Sequence, residues 1–244
     1  MFDIAIDGVT FEYGSDSQFR FKNVSFEVPS GTTLGIAGPS GGGKSTLIDL
    51  IIGLNVPQHG KVLISGGTPR EMINKFPGRI AYVPQSIPVM QGTLLENILL
   101  GRDCETKQEK LWLEELLVVT GLDLEIKTMN DGLYTKVGPK EISLSGGQAQ
   151  RLGIARALFS KPKLIILDEA TSSLDVISEH QISQRILSSN KDSTIIVVAH
   201  RLSTLIECNQ IIYLKQGAIS GIGSFARLKD TNAEFRKLVN LSGL

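Results

Sequence analysis

The stretch TTLGIAGPSGGGKSTLIDLIIGL, from Thr32 to Leu54, decides the fold of this 244-residue chain. It opens on an apolar run that reads as a buried strand. It closes with Leu47, Ile48, Ile51 and Ile52 on one face of a helix beginning at Lys44 and reaching Leu54. Between them lie Gly38, Pro39, Ser40, Gly41, Gly42, Gly43, Lys44, Ser45 and Thr46, which satisfy G-x-x-x-x-G-K-[ST] at a strand-to-helix junction. Glycines let the backbone curl until successive N–H groups face one anion, and the helix adds its positive N-terminal end. Lys44 is then placed to bridge the β- and γ-phosphates of a nucleotide, and Ser45 to hold Mg²⁺ through its hydroxyl. Strand, phosphate loop and helix in that order imply an α/β fold.

Outward from this unit, DIAIDGV and FRFKNVSFEV read as strands, marked off by turn signals at Gly14-Ser15-Asp16 and Pro29-Ser30-Gly31. RIAYVP is a further strand. A mostly helical middle follows, in which Leu113, Leu116, Leu117 and Thr120 fall at i, i+3, i+4 and i+7. KLIILDE and STIIVVAH read as buried strands with SEHQISQRIL as a helix between them, and QIIYLKQGAIS as a hairpin around Gly217. Near-continuous apolar strands separated by helices predict a parallel sheet covered on both faces.

In open parallel sheets ligands lie outside the carboxyl ends of the strands. RIAYVP leads into Gln85, LIIL ends in Asp168 and Glu169, and IIVVA ends in His200. Four groups suited to phosphoryl chemistry are therefore expected at the edge that carries the phosphate loop. Asp168 can bind Mg²⁺ while its neighbour Glu169 orients or deprotonates the attacking water. Each residue alone has an ordinary explanation, as a cap, a loop amide or a surface imidazole; their joint occurrence gives the reading its weight.

A second anion surface is predicted in LSGGQAQRLGIARALFS, Leu144 to Ser160. Ser145 and Gln148 form a capping box at the start of a helix. Gly146 and Gly147 then occupy the first turn, where poor helix formers need a reason. A first turn without side chains exposes its N–H groups to an incoming phosphate. Two copies arranged head to tail would let each phosphate loop face the other's Ser145-Gly146-Gly147.

Composition narrows the classes. Lys+Arg and Asp+Glu both number 25, so no global field favours nucleic acid or an acidic membrane. With 41% hydrophobic and 20% charged residues the chain can build a core, burying roughly 70% of its unfolded surface. No apolar run approaches the ~20 residues of a membrane span, the N-terminus lacks a signal-peptide pattern, and the chain reads as soluble. Cys104 and Cys208 lack the spacing of a zinc site and read as reduced thiols.

Over nearly its whole length the chain resembles the ATP-binding cassette, the nucleotide-binding domain of ABC transporters. GPSGGGKST looks like the Walker A loop, Gln85 the Q-loop glutamine, LSGGQ the signature motif and LIILDE the Walker B strand. SSLD, ending in Asp175, looks like the D-loop, His200 the switch histidine, and Tyr13 in VTFEYG the aromatic residue that stacks on adenine, with Phe11 as the rival. The resemblance implies a RecA-like P-loop NTPase core, an antiparallel β subdomain and a helical signature subdomain at about 92–160, all within one nucleotide-binding domain over 1–244. It further implies ATP and Mg²⁺ as cofactors, with Ser45, Gln85 and Asp168 around the metal. Glu169 would be the general base and His200 a γ-phosphate contact. The partners implied are a second cassette, of the same or another kind, with Asp175 communicating across the interface. Transmembrane domains in the same or a separate chain would be driven at the cytoplasmic face of the cell membrane.

The segment QGTLLENI, Gln91 to Ile98, resembles the exporter branch, whose cassettes are commonly fused behind a membrane domain, so a part of a longer chain is expected. Lys136 and Glu141 depart from that branch, which commonly has an acidic residue and glycine there. A soluble ABC-type ATPase acting on nucleic acid or ribosomes is the alternative, although neither the charge balance nor any added module supports it.

Overall fold

In the computed structural model of the chain, residues 2–14, 20–199 and 201–243 are described. The order begins β1 (Ile4–Glu12), β2 (Arg20–Val28), β3 (Thr33–Ala37), α1 (Lys44–Ile51), β4 (His59–Ile64), α2 (Pro69–Lys75) and β5 (Ile80–Val83). It continues through β6 (Gly92–Thr93), α3 (Leu94–Leu99), α4 (Lys107–Thr120), α5 (Leu122–Ile126), β7 (Lys136–Val137), α6 (Gly146–Leu158) and β8 (Leu164–Asp168). It ends with α7 (Val176–Ser189), β9 (Thr194–Val198), β10 (Gln210–Lys215), β11 (Ala218–Gly223), α8 (Phe225–Thr231) and α9 (Ala233–Leu241). The chain divides into two compact units, one of residues 1–80, 163–168 and 191–244 and the other of residues 81–162 and 169–190.

Among its described residues the first unit holds two sheets. In the smaller, β1 lies between β2 and β4, antiparallel to both. β1 buries Ile4 and Ile6, then Val9 and Phe11, so the alternation changes parity midway. The register shift between Ile6 and Val9, with Gly8 at φ 59°, absorbs the extra residue and returns the apolar side chains to one face. Gly60 of β4 lies so close that a Cβ there would stand 2.4 Å from the Asp7 carbonyl.

The larger sheet runs β11-β10-β3-β9-β8 within this unit. β10, β3, β9 and β8 are mutually parallel, and β11 returns antiparallel to β10. Every residue of β8 and β9 is buried, as a strand covered on both faces requires. The hairpin turn is Gln216-Gly217, both at positive φ, which is the backbone a tight two-residue connection needs. Gly35 of β3 leaves room for Leu205 and Cys208, which a Cβ would meet at 2.9 and 3.2 Å. Cys104 and Cys208 are free thiols, and burial, with a smaller push from Glu207, raises the Cys208 thiol to about 12. Helix α1 stops earlier than its apolar pattern suggests. Gly53 enters the left-handed region, Leu54 N–H donates to Asp49 O and Gly53 N–H to Leu50 O, closing a Schellman motif.

The second unit is built mainly of helices. Leu113, Leu116, Leu117 and Thr120 of α4 are all buried, as their spacing predicts. Two arginines tie α3 to α6 through neutral acceptors. Arg156 donates to Asn97 O, Asn97 Oδ1 and Pro88 O, and Arg102 to Ile98 O, Leu99 O, Arg156 O and Ser160 Oγ. Asn97 is fully buried and also bonds both backbone groups of Met90, so the 88–93 segment is held from both sides. No described helix in either unit is long and apolar enough to cross a membrane.

Capping boxes open α2 (Thr68, Glu71), α3 (Thr93, Glu96), α4 (Thr106, Glu109) and α6 (Ser145, Gln148). The backbone N–H and hydroxyl of Thr68 hold the Glu71 carboxyl below its ordinary range, and Thr93 does the same for Glu96. Thr106, hydroxyl first, does so for Glu109. A carboxyl whose folded pKa is depressed adds stability above its unfolded pKa, and that stability is lost as pH falls through the folded value. Glu125 acts in the opposite sense, because burial outweighs Arg151 and raises its pKa. The three depressed carboxyls are therefore expected to make thermal stability fall as pH drops below about 4.3. Glu→Gln replacement at positions 71, 96 and 109 should reduce that acid slope, and an unchanged slope would remove the boxes as its cause.

Candidate functional site

The phosphate loop belongs to the first unit and is shaped from outside itself. Gly38, Gly41 and Gly43 have φ of 146°, 74° and 107°, a region glycine enters without penalty. A Cβ on Gly38 would lie 2.1 Å from Leu214 O of β10, and Gly217 N–H donates to Gly42 O at 3.1 Å. The loop is thus moulded against the β10–β11 hairpin. Lys44 is 7% exposed, and its Nζ donates to Gly38 O and Pro39 O at 3.0 and 3.1 Å. Helix α1 opens on Gly43 with no side-chain cap and no acidic residue in its first turn. Its N-terminal amides, the glycine cradle and a lysine folded back over it suit a polyphosphate. Ser45 is exposed beside them, and Thr46 is buried.

Tyr13 and Phe11, rivals by sequence, separate by burial: Phe11 is 5% exposed and Tyr13 47%. Phe11 supports the Tyr13 ring edge-on at 4.9 Å. The Tyr13 hydroxyl meets Thr46 Oγ1 and Asp49 Oδ2, both at 3.4 Å, and accepts from Asn55 Nδ2 at 3.3 Å, which tethers the ring to α1 and the loop after it. Asp168, also in this unit, ends β8 opposite Val198 of β9 and is buried. Since β3, β9 and β8 are parallel neighbours, Asp168 stands at the same carboxyl edge as the phosphate loop. His200 lies outside the described residues.

The second unit holds Gln85, Ser145, Gly146, Gly147, Gln148, Glu169 and Asp175. Gln85 Nε2 donates to Glu169 Oε2 at 2.6 Å, which brings together two of the expected residues. Glu169 has φ 52°, a left-handed conformation that costs a non-glycine residue of order 1 kcal/mol. The predicted capping box is present: Gln148 N–H donates to Ser145 Oγ at 3.2 Å and Ser145 N–H to Gln148 Oε1 at 2.9 Å. Gly146 and Gly147 have a packing reason within the unit. A Cβ on Gly146 would lie 3.2 Å from Ser173 Cβ, and one on Gly147 3.1 Å from Leu174 Cδ2. Asp175 caps α7, its Oδ1 accepting from Ile177 and Ser178 N–H at 3.1 and 3.0 Å, and Ser178 draws its carboxyl below the usual range.

Sequence reasoning passed over Gln150, which is 2% exposed on α6 and hydrogen-bonded to the loop after Glu169. The available signal was a glutamine on the stripe shared with Gly146, Gly153 and Ile154, at helical spacing on a face that should be apolar. Lys136 is exposed and near enough to Glu96 to lower its pKa slightly, and Glu141 Oε1 accepts from Gln91 Nε2 at 3.3 Å.

Comparison with known proteins places the chain among relatives of one family. Residues 21–172 match the ABC transporter family. The multidrug resistance ABC transporter ATP-binding and permease protein of Lactococcus lactis subsp. cremoris is 37% identical over 234 residues, 95% of this chain and 39% of that protein. The β-(1→2)glucan export ATP-binding/permease protein of Rhizobium meliloti is 35% identical over 243 residues, 99% of this chain and 41% of that protein. A solved bacterial Atm1-family ABC exporter with ATP bound superposes with a TM-score of 0.89 at 30% identity, over 99% of this chain and 42% of that one. The chain thus spans about two-fifths of the length of these relatives. With a family match that spans the phosphate loop and a likeness running almost end to end, the chain belongs to the ABC transporter family, as its ATP-binding part.

Proposed function

We propose that this domain supplies the ATP-driven stroke of a membrane exporter. The observation that carries the reading is the phosphate loop itself: a glycine cradle at positive φ, an uncapped helix start and a buried Lys44. In this reading Lys44 and the α1 amides bind the β- and γ-phosphates, and the tethered Tyr13 ring carries the base. Ser45, Gln85 and Asp168 would hold Mg²⁺, whose charge neutralises that developing on the phosphates. Glu169 accepts a proton from the attacking water, and Gln85 orients its carboxylate through the 2.6 Å hydrogen bond. His200 contacts the γ-phosphate. Ser145, Gly146, Gly147 and Gln148 present a second anion surface to the nucleotide of a partner cassette, and Asp175 lies at that interface. We assign residues 1–244 to one nucleotide-binding domain, with a helical signature subdomain at about 92–160.

Exporters with fused permeases among the relatives, together with the balanced charge of 25 against 25, favour a transmembrane partner at the cytoplasmic face of the membrane over nucleic acid. The test is purification of the native protein from solubilised membranes. Expected are Mg²⁺-dependent phosphate release, ATP-dependent pairing of cassettes and an integral membrane polypeptide in the same particle. Salt-sensitive nucleic-acid binding with no membrane partner would overturn the proposal.

A further inference from the structure

Gln150 lies one turn beyond Gly146 on α6 and is 2% exposed. A buried primary amide needs partners at both ends, and Gln150 finds all of its own in a single loop. Its Oε1 accepts from Ser173 N–H at 2.8 Å. Its Nε2 donates to Ser172 Oγ at 3.1 Å and, at the outer limit of a hydrogen bond, to Glu169 O at 3.5 Å. That loop begins with the left-handed Glu169, whose carbonyl also accepts from Ser172 N–H at 3.1 Å, and packs against Gly146 and Gly147. A conformation that a non-glycine residue does not prefer persists only where its surroundings over-determine it.

We infer that Gln150 is a positioning residue: it locks the backbone from Glu169 to Ser173 onto the signature helix. The Glu169 carboxylate and the Ser145-Gly146-Gly147 surface are thereby kept in one fixed relation. Gln150 makes no contact with the reacting atoms in this scheme, and the inference rests on the proposed role of Glu169. A displacement of the order of 1 Å at a reacting group costs about 10²-fold in rate, so a loosened loop should show in turnover and not in nucleotide affinity.

The experiment uses Gln150→Met, which keeps length and volume but loses the hydrogen bonds, and Gln150→Glu, which keeps an acceptor for Ser173 N–H. Both are made in the native protein and assayed below their melting temperatures. For Gln150→Met, kcat is expected to fall about tenfold or more with KM and ATP affinity within about twofold. Amide exchange at Ser173 should accelerate. Gln150→Glu should slow that exchange again and recover part of kcat. If Gln150→Met does not fold, Ser172→Ala removes one acceptor of the same amide and should give a smaller fall in kcat, again without loss of affinity. Turnover within about twofold of the parent, or kcat and affinity lost in step with folded protein, overturns the inference. Glu169→Gln run alongside separates the two ideas. Full activity in that variant removes the base assignment, whereas an inactive Glu169→Gln beside a fully active Gln150→Met removes only the role of Gln150.

Discussion

Glu169→Gln is expected to lower ATP hydrolysis by about 10²–10³-fold while leaving ATP affinity within about twofold. The substitution preserves volume, and its amide oxygen can still accept from Gln85 Nε2, which stands 2.6 Å from Glu169 Oε2. It removes the one property the proposed role requires, a carboxylate able to take a proton. Because the backbone at this position is held at φ 52° by its neighbours, an isosteric exchange gives the loop no new reason to move. Steady-state phosphate release and fluorescent-nucleotide binding measure the two quantities separately. Undiminished turnover would take Glu169 out of the chemistry.

Lys44→Met is the second large effect, and it should fall on binding as well as rate. Lys44 Nζ already has two backbone acceptors in its own loop, Gly38 O and Pro39 O, so its ammonium is held over the cradle. Hydrogen bonds to charged groups contribute about 1.5–3 kcal/mol each, which corresponds to roughly 10–150-fold in ATP affinity. Charge that develops on the transferring phosphoryl group would lose its stabiliser too, so kcat should drop by a further 10²–10³-fold or so. Calorimetric titration with ATP, and phosphate release at saturating ATP, check the two parts. Methionine keeps the aliphatic stem packed, and a melting temperature near that of the parent would assign the loss to the missing ammonium. Affinity unchanged in a folded variant would contradict the reading of the loop.

The parts of the fold that could be read from sequence are those in which one physical rule acts alone. Continuous apolar runs gave β8 and β9, 3.6-residue spacing gave the buried face of α4, and Ser145 with Gln148 gave the start of α6. Where two rules compete, the outcome needed three dimensions. The parity change in β1 depends on a bulge at Gly8, and the early end of α1 depends on Gly53 turning left-handed before Leu54. Phe11 and Tyr13 share a strand face by period, and only burial makes one a support and the other a surface. Gly146 and Gly147 illustrate the same point at the site. The sequence suggests an anion surface, and the structure adds a loop packed on them, a contact between segments more than twenty residues apart that no local pattern encodes. Gln150 escaped for that reason: its partners, Ser172 and Ser173, look like ordinary loop residues until the loop is folded.

The moulding of the phosphate loop against Leu214 and Gly217 has a consequence for how the chain acquires its binding site. β3, which carries the loop, has β9 on one side and β10 on the other, and both come from the last third of the chain. During synthesis the motif leaves the ribosome long before the strands that give it shape. At ~5–20 residues per second, the interval between Gly42 and Gly217 is of the order of ten to thirty seconds. Through that interval the nascent chain carries the full G-x-x-x-x-G-K-[ST] sequence without the cradle. The cradle in its final shape therefore belongs to the completed sheet, and stabilisation by bound ATP is expected to act on the finished domain.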